Sequence, residues 1–180
     1  MILKDYIPFL LKNPLFKDFS EEDFYKFFNN NSYLISNHEK NSFIYMQHEV
    51  CESFDIILSG EVQIQTIDEN GNILIVTSFK SGDTLSGNLI LSDNNTYPMG
   101  VIAKENTTLL RIRKSLLIKL CQEDKGFLME FIRSLSNRTF FLSTKLRTMT
   151  TKTIRDQIID FIKYQYHLQN SNKIKLNMMN

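Results

Sequence analysis

Residues 61–79 read EVQIQTIDENGNILIVTSF. The opening part, Glu61-Val62-Gln63-Ile64-Gln65, alternates strictly between polar and aliphatic side chains. A strand with that period has one dry face and one wet face. A second β-rich run, ILIVTSF, follows closely on Asn70-Gly71. Both central positions of a tight hairpin turn need positive φ, which Asn-Gly supplies at low steric cost, so the stretch predicts an antiparallel hairpin.

The same kind of short run recurs on both sides. SYLIS, NSFIYM and SFDIILSG precede the hairpin, YPMGVIA and TTLLRIR follow it, and Gly60 and Gly82 punctuate the strand ends. Many short strands between turn signals predict an antiparallel sandwich or roll over residues 31–113. Residues 1–30 read as helical, with Ser20 able to cap, Asp23 three positions on, and Phe24, Phe27 and Phe28 at helical spacing. Beyond the strands, KSLLIKLCQ predicts a short helix, Asp124 opens a long one that runs to about Thr150, and TTKTIRDQIIDFIKYQYH predicts another. NKIKLNMM reads as the start of a strand. The expected fold class is mainly β with α: an antiparallel β-roll or jelly roll flanked by helices and followed by a long helix. The segments are 1–123 (helices and roll), 124–150 (long helix) and 151–180 (the start of a further domain).

The chain has 180 residues, 42% of them hydrophobic and 23% charged, with a formal net charge of +1. That composition is ordinary for a globular protein and gives no global attraction to nucleic acid, so any electrostatic argument must be local. Cys51 and Cys121 lie 70 positions apart with no CxxC spacing. They read as reduced, buried thiols of a cytoplasmic protein, the alternative being a redox switch. The start, MILKDYIPFLLKNPLF, is interrupted by Lys4, Asp5, Pro8 and Lys12, which suits neither a signal peptide nor a membrane span.

Catalytic and metal chemistry finds little support. An iron–sulfur cluster needs about four thiolates. A cupin-type metal enzyme needs two His and an acid converging from neighbouring strands, and no HxH pair exists. A haem would need an axial ligand from His38, His48 or His167, each in polar sequence. There is no GxSxG and no Walker sequence. The expectation is therefore no enzyme, no metal and no cofactor.

The long helix carries two interleaved sets. Leu128, Leu135, Leu142 and Met149 are seven apart, and Ile132, Thr139 and Leu146 fall between them. These are the d and a positions of a heptad, and Leu at d with a β-branched aliphatic at a favours a parallel two-stranded coiled coil. Phe127, Phe131 and Phe141 lie to one side and are expected to contact the β domain, leaving the Leu stripe for a second copy. From Arg133 to Arg155 there are six basic residues and no acid, a solvated face that near a phosphate backbone would add attraction.

In order, FDIILSGEVQIQTIDENGN, FKSGDTLSGNLIL, ENTTLLRIRKSLLIKL and the long helix resemble the Crp/Fnr family of bacterial transcription regulators. The resemblance covers essentially the whole chain, and its most specific feature is the order of Gly60, Gly71 and Gly82. It implies a cyclic-nucleotide-binding-like roll, homodimerisation through the helix, and DNA contact through a C-terminal helix-turn-helix. TIRDQIIDFIKYQY resembles the first helix of that DNA-binding domain, whose recognition helix is not among these residues; the chain is expected to be a truncated form of a longer regulator.

Relatives that bind cyclic nucleotides place a glutamate and then an arginine in the segment after the Gly-Asp turn. Aligned from Gly82-Asp83, the glutamate falls at Gly87 or Asn88, and Thr96-Tyr97-Pro98-Met99 stand where the arginine should be. A buried phosphate without a charge-assisted partner is expensive, so usual binding of cyclic AMP or cyclic GMP is not expected. A weak anion could still meet the backbone donors of Ser86, Gly87 and Asn88 at a short helix start. The pocket expected for a possible small-molecule effector lies between Leu85–Asn88, Tyr97–Met99 and the helix near Phe131, Arg138 and Thr139, with Arg138 able to lend a cation. A stand-alone binding module acting by protein contact is the alternative reading.

Overall fold

The structure, a computed structural model, describes residues 2–28, 31–67, 71–151, 158–159 and 162–163. Prolines split the N-terminal segment. Pro8 and Pro14 sit at the starts of α1 (Ile7–Leu10) and of a 3-10 turn (Pro14–Phe16), where a missing N–H costs nothing. In α2 (Glu21–Phe27) Ser20 and Asp23 form the expected capping box. Phe16, Phe19, Phe24 and Phe27 are buried and meet ring to ring, Phe16 and Phe24 at 5.0 Å between centroids.

Two four-stranded antiparallel sheets form the roll. The first contains β1 (Tyr33–His38), β3 (Ser53–Ser59), β6 (Thr84–Leu85) and β8 (Thr107–Arg113), in the order β1-β8-β3-β6. The second contains β2 (Phe43–Tyr45), β4 (Glu61–Ile67), β5 (Ile73–Lys80) and β7 (Gly100–Ala103), in the order β2-β7-β4-β5. All seven expected runs are present; only the two-residue β6 was not legible, being too short to show a period. The chain passes between sheets at Gly60, whose φ is +90°. A Cβ there would lie 2.5 Å from Thr107 Oγ1 and 2.6 Å from the Asn106 carbonyl oxygen, so only glycine fits.

The expected hairpin forms between β4 and β5, with differences of register and burial. Gly71 has the anticipated positive φ; Asn70 lies outside the described residues. Pairing runs Ile64↔Thr77 and then Gln65↔Ile75, leaving Val76 as an extra, bulged residue. Of the expected dry face only Val62 is fully buried, while Ile67, Ile73, Leu74 and Ile75 are exposed. The reason is topological. The neighbouring strand β7 pairs with β4 only as far as Gln65↔Gly100, so the outer half of the hairpin extends past the roll.

Helix α3 (Lys114–Glu123) buries Leu116, Leu117 and Leu120. Helix α4 (Lys125–Thr151) starts where Asp124 Oδ1 accepts the Phe127 N–H at 2.7 Å. Phe127 and Phe131 are buried as expected, Phe131 edge-on to Phe54 at 5.5 Å. Phe141, which was expected to join them, is 64% exposed and belongs to the second of the two units described below. Of the Leu stripe, Leu128 is half-buried, Leu135 packs against the core, and Ile132, Leu142 and Leu146 are exposed. The chain divides into two compact units, Met1–Leu135 and Ser136–Asn180. The Met149 side chain, most of the TTKTIRDQIIDFIKYQYH segment, NKIKLNMM and His167 lie outside the described residues. Among the described residues no helix is long and apolar enough to cross a membrane.

Candidate functional site

A polar cluster lies inside the otherwise apolar roll. Asp55 on β3 pairs with Arg111 on β8 and with Leu85 on β6, and residues directly opposite share a face. Ser53, two positions back, lies on that same face. From the second sheet come Tyr45, the last residue of β2, and Tyr97, just before β7. Their rings stack at 4.2 Å between centroids with an interplanar angle of 13°.

These side chains form one connected network around a buried carboxyl group. The Tyr45 hydroxyl donates to Asp55 Oδ2, and Ser53 Oγ donates to Asp55 Oδ1 at 2.7 Å. Arg111 Nε is 3.4 Å from Ser53 Oγ and 3.9 Å from Asp55 Oδ1, and its guanidinium lies 5.0 Å over the Tyr45 ring. At the far end the Tyr97 hydroxyl meets Ser86 Oγ at 2.7 Å. Asp55 is fully buried, and among the described residues no buried side-chain nitrogen or oxygen lacks a hydrogen-bond partner.

Burial sets the protonation. It pushes the Asp55 carboxyl above the usual carboxylate range, opposed by hydrogen bonds from Tyr45 and Ser53 and by the charge of Arg111. It also pushes the Tyr45 and Tyr97 phenols up, so both remain neutral donors near neutrality. Cys51, buried beside Ser53 with its thiol donating to the Ser53 carbonyl at 3.4 Å, is likewise raised by burial, as is half-buried Cys121. A raised thiol is a poor nucleophile and metal ligand.

Of the expected pocket residues, Leu85, Ser86, Gly87 and Tyr97 are all buried, and the two segments meet through the Ser86 and Tyr97 hydroxyl groups. A Cβ on Gly87 would lie 3.3 Å from the Phe54 ring, 3.5 Å from Leu135 and 3.6 Å from the Phe131 ring, so the segment closes on the core through glycine. The expected short helix start at Ser86, Gly87 and Asn88 is absent. Ser86 has φ +65° and its carbonyl accepts from Leu89 and Ile90 N–H at 2.9 and 3.0 Å, which makes a turn. Asn88 and Pro98 are exposed and Met99 is half-buried. Arg138, half-buried, and Thr139, exposed, lie in the second unit.

Tyr45, Ser53, Asp55 and Arg111 escaped the sequence reading. The signal was present: an aspartate inside the apolar run FDIIL and an arginine inside LLRIR are charges on strands that bury their neighbours. A cavity of about 610 Å³ opens where β3 begins and β8 ends, with Ser53 and Arg111 in its wall. Among the described residues no three His, Cys, Asp or Glu side chains are placed to hold a metal ion.

Comparison with known proteins agrees with this fold. The sequence profile of the cyclic nucleotide-binding domain matches residues 35–124. No curated protein matches the chain by sequence. Among solved structures, a transcriptional regulator from Thermotoga maritima is similar at 24% identity with a TM-score of 0.64, over 84% of this chain and 100% of that one. The sensor domain of the transcriptional regulator DNR from Pseudomonas aeruginosa is similar at 18% identity and TM-score 0.63, over 84% of this chain and 95% of that one. The Thermus thermophilus catabolite activator protein is similar at 17% identity and TM-score 0.64, over 76% of this chain and 63% of that one. At these identities the likeness concerns the fold.

Proposed function

Because the chain belongs to the cyclic nucleotide-binding domain family, we propose that it is the sensing and dimerising part of a Crp/Fnr-type transcription regulator whose effector is not a cyclic nucleotide held in the usual way. The observation that carries this reading is the inside of the roll. The segment from Gly82 to Met99 offers neither a glutamate nor an arginine, and Arg111, on the same sheet face as Asp55, faces the protein's own carboxyl group. A cyclic phosphate would have to be buried without a free charge-assisted partner there. In this reading residues 151–180 open a DNA-binding domain, and catalysis plays no part.

Dimerisation is supported by apolar side chains left in solvent at heptad spacing. Ile132, Leu142 and Leu146 are all exposed on α4, and covering such residues with a second copy removes them from water. Sedimentation equilibrium at micromolar concentration tests this: a dimer is expected, and Leu142→Glu with Leu146→Glu gives a monomer. A monomeric wild-type chain contradicts it.

A further inference from the structure

We propose that the cavity at the junction of β8 and α3 binds a small organic anion, a carboxylate or phosphate head on a short apolar body. The inference rests on the sensor reading and gives it a ligand class and a place. About 610 Å³ lies within the range of about 300–1,000 Å³ typical of small-molecule sites. Its wall holds three cations, Arg111, Arg113 and Lys114, against one acid, Glu52. Arg111 and Arg113 are two apart on one strand and so lie on one face. Among the described residues neither Arg113 nor Lys114 has an ion-pair partner. In a chain of net charge +1, this local excess of positive charge is not part of a general basic surface.

The backbone adds to the same pole. Arg113 and Lys114 are the N-cap and first residue of α3, which has no side-chain cap and no acid in its first turn. Its first amides therefore keep their unfilled hydrogen-bonding capacity and the positive end of the helix dipole. Leu34, the cross-strand partner of Arg111, and Val50, both exposed large aliphatic residues, add an apolar wall beside the cations. Arg111 faces the cavity and the Tyr45–Asp55 network at once, so an anion drawing on Arg111 loosens its hold on Asp55.

The test is a nuclear magnetic resonance titration of the 180-residue chain with two probes, inorganic phosphate and hexanoate. Saturable shifts are expected at the amides of residues 51–53 and 113–116, with hexanoate the tighter ligand because it also covers the apolar wall. Arg113→Ala and Lys114→Ala each weaken binding about fivefold, and Lys119→Ala, farther along α3, leaves it unchanged. No saturable shift with either probe overturns the proposal, as do shifts centred on residues 86–88 and 97, or a Lys119→Ala loss equal to that of Lys114→Ala. Sedimentation keeps the two readings apart. A dimer with a silent cavity removes this inference alone, whereas a monomer with a responsive cavity removes the dimerisation reading alone.

Discussion

Asp55 is fully buried at the centre of the roll, and its surroundings were assembled from four strands. Its pKa in the folded chain lies above the unfolded value, which is about 3.9. Between those two values the folded state holds more protons than the unfolded state. The group's contribution to stability therefore falls as pH rises from about 4 through the folded pKa, and is level above it. Asp55→Asn removes this titration and keeps the size of the side chain. In urea unfolding, the stability of the wild type relative to Asp55→Asn is expected to decline as pH rises across that window. A difference that stays flat or grows with pH contradicts the burial argument. Asp55 was hidden in the sequence because strand burial is a property of neighbours: FDIIL shows that the strand is apolar, while Tyr45, which donates to the carboxyl group, comes from the other sheet.

Among the elements, the junction of β3 and β4 at Gly60 fixes how the two sheets meet. Gly60→Ala brings a Cβ against the Asn106 backbone and the Thr107 side chain at a φ that L residues rarely adopt. The expected loss is about 2–4 kcal/mol in urea unfolding. Gly71→Ala, with φ +84° and nothing within 4 Å of the added Cβ, is expected to lose only about 1 kcal/mol. Equal losses at the two sites would contradict the close approach at Gly60. The elements themselves were largely legible, since periodicity, the Ser20–Asp23 box and Asp124 are local signals. The exposure of Ile73, Leu74 and Ile75 was not, because alternation marks a strand without saying where its neighbour ends.

At the scale of the molecule, a family fold encloses a cluster of the protein's own polar groups. The roll, its helices and the match to the cyclic nucleotide-binding domain give the family fold on which the proposed sensing role rests. The Tyr45–Ser53–Asp55–Arg111 network and the Tyr97–Ser86 contact put protein groups at the centre of the roll. The missing glutamate and arginine could be read from residues 82–99 alone. The internal carboxyl group that engages Arg111 could not, because it depends on the pairing of β3 with β8. The most direct test of the central claim is a calorimetric titration of the 180-residue chain with cyclic AMP. The account predicts no saturable heat up to about 1 mM ligand, the level of about 4.1 kcal/mol of binding free energy; enthalpy-bearing binding at micromolar concentration would contradict it.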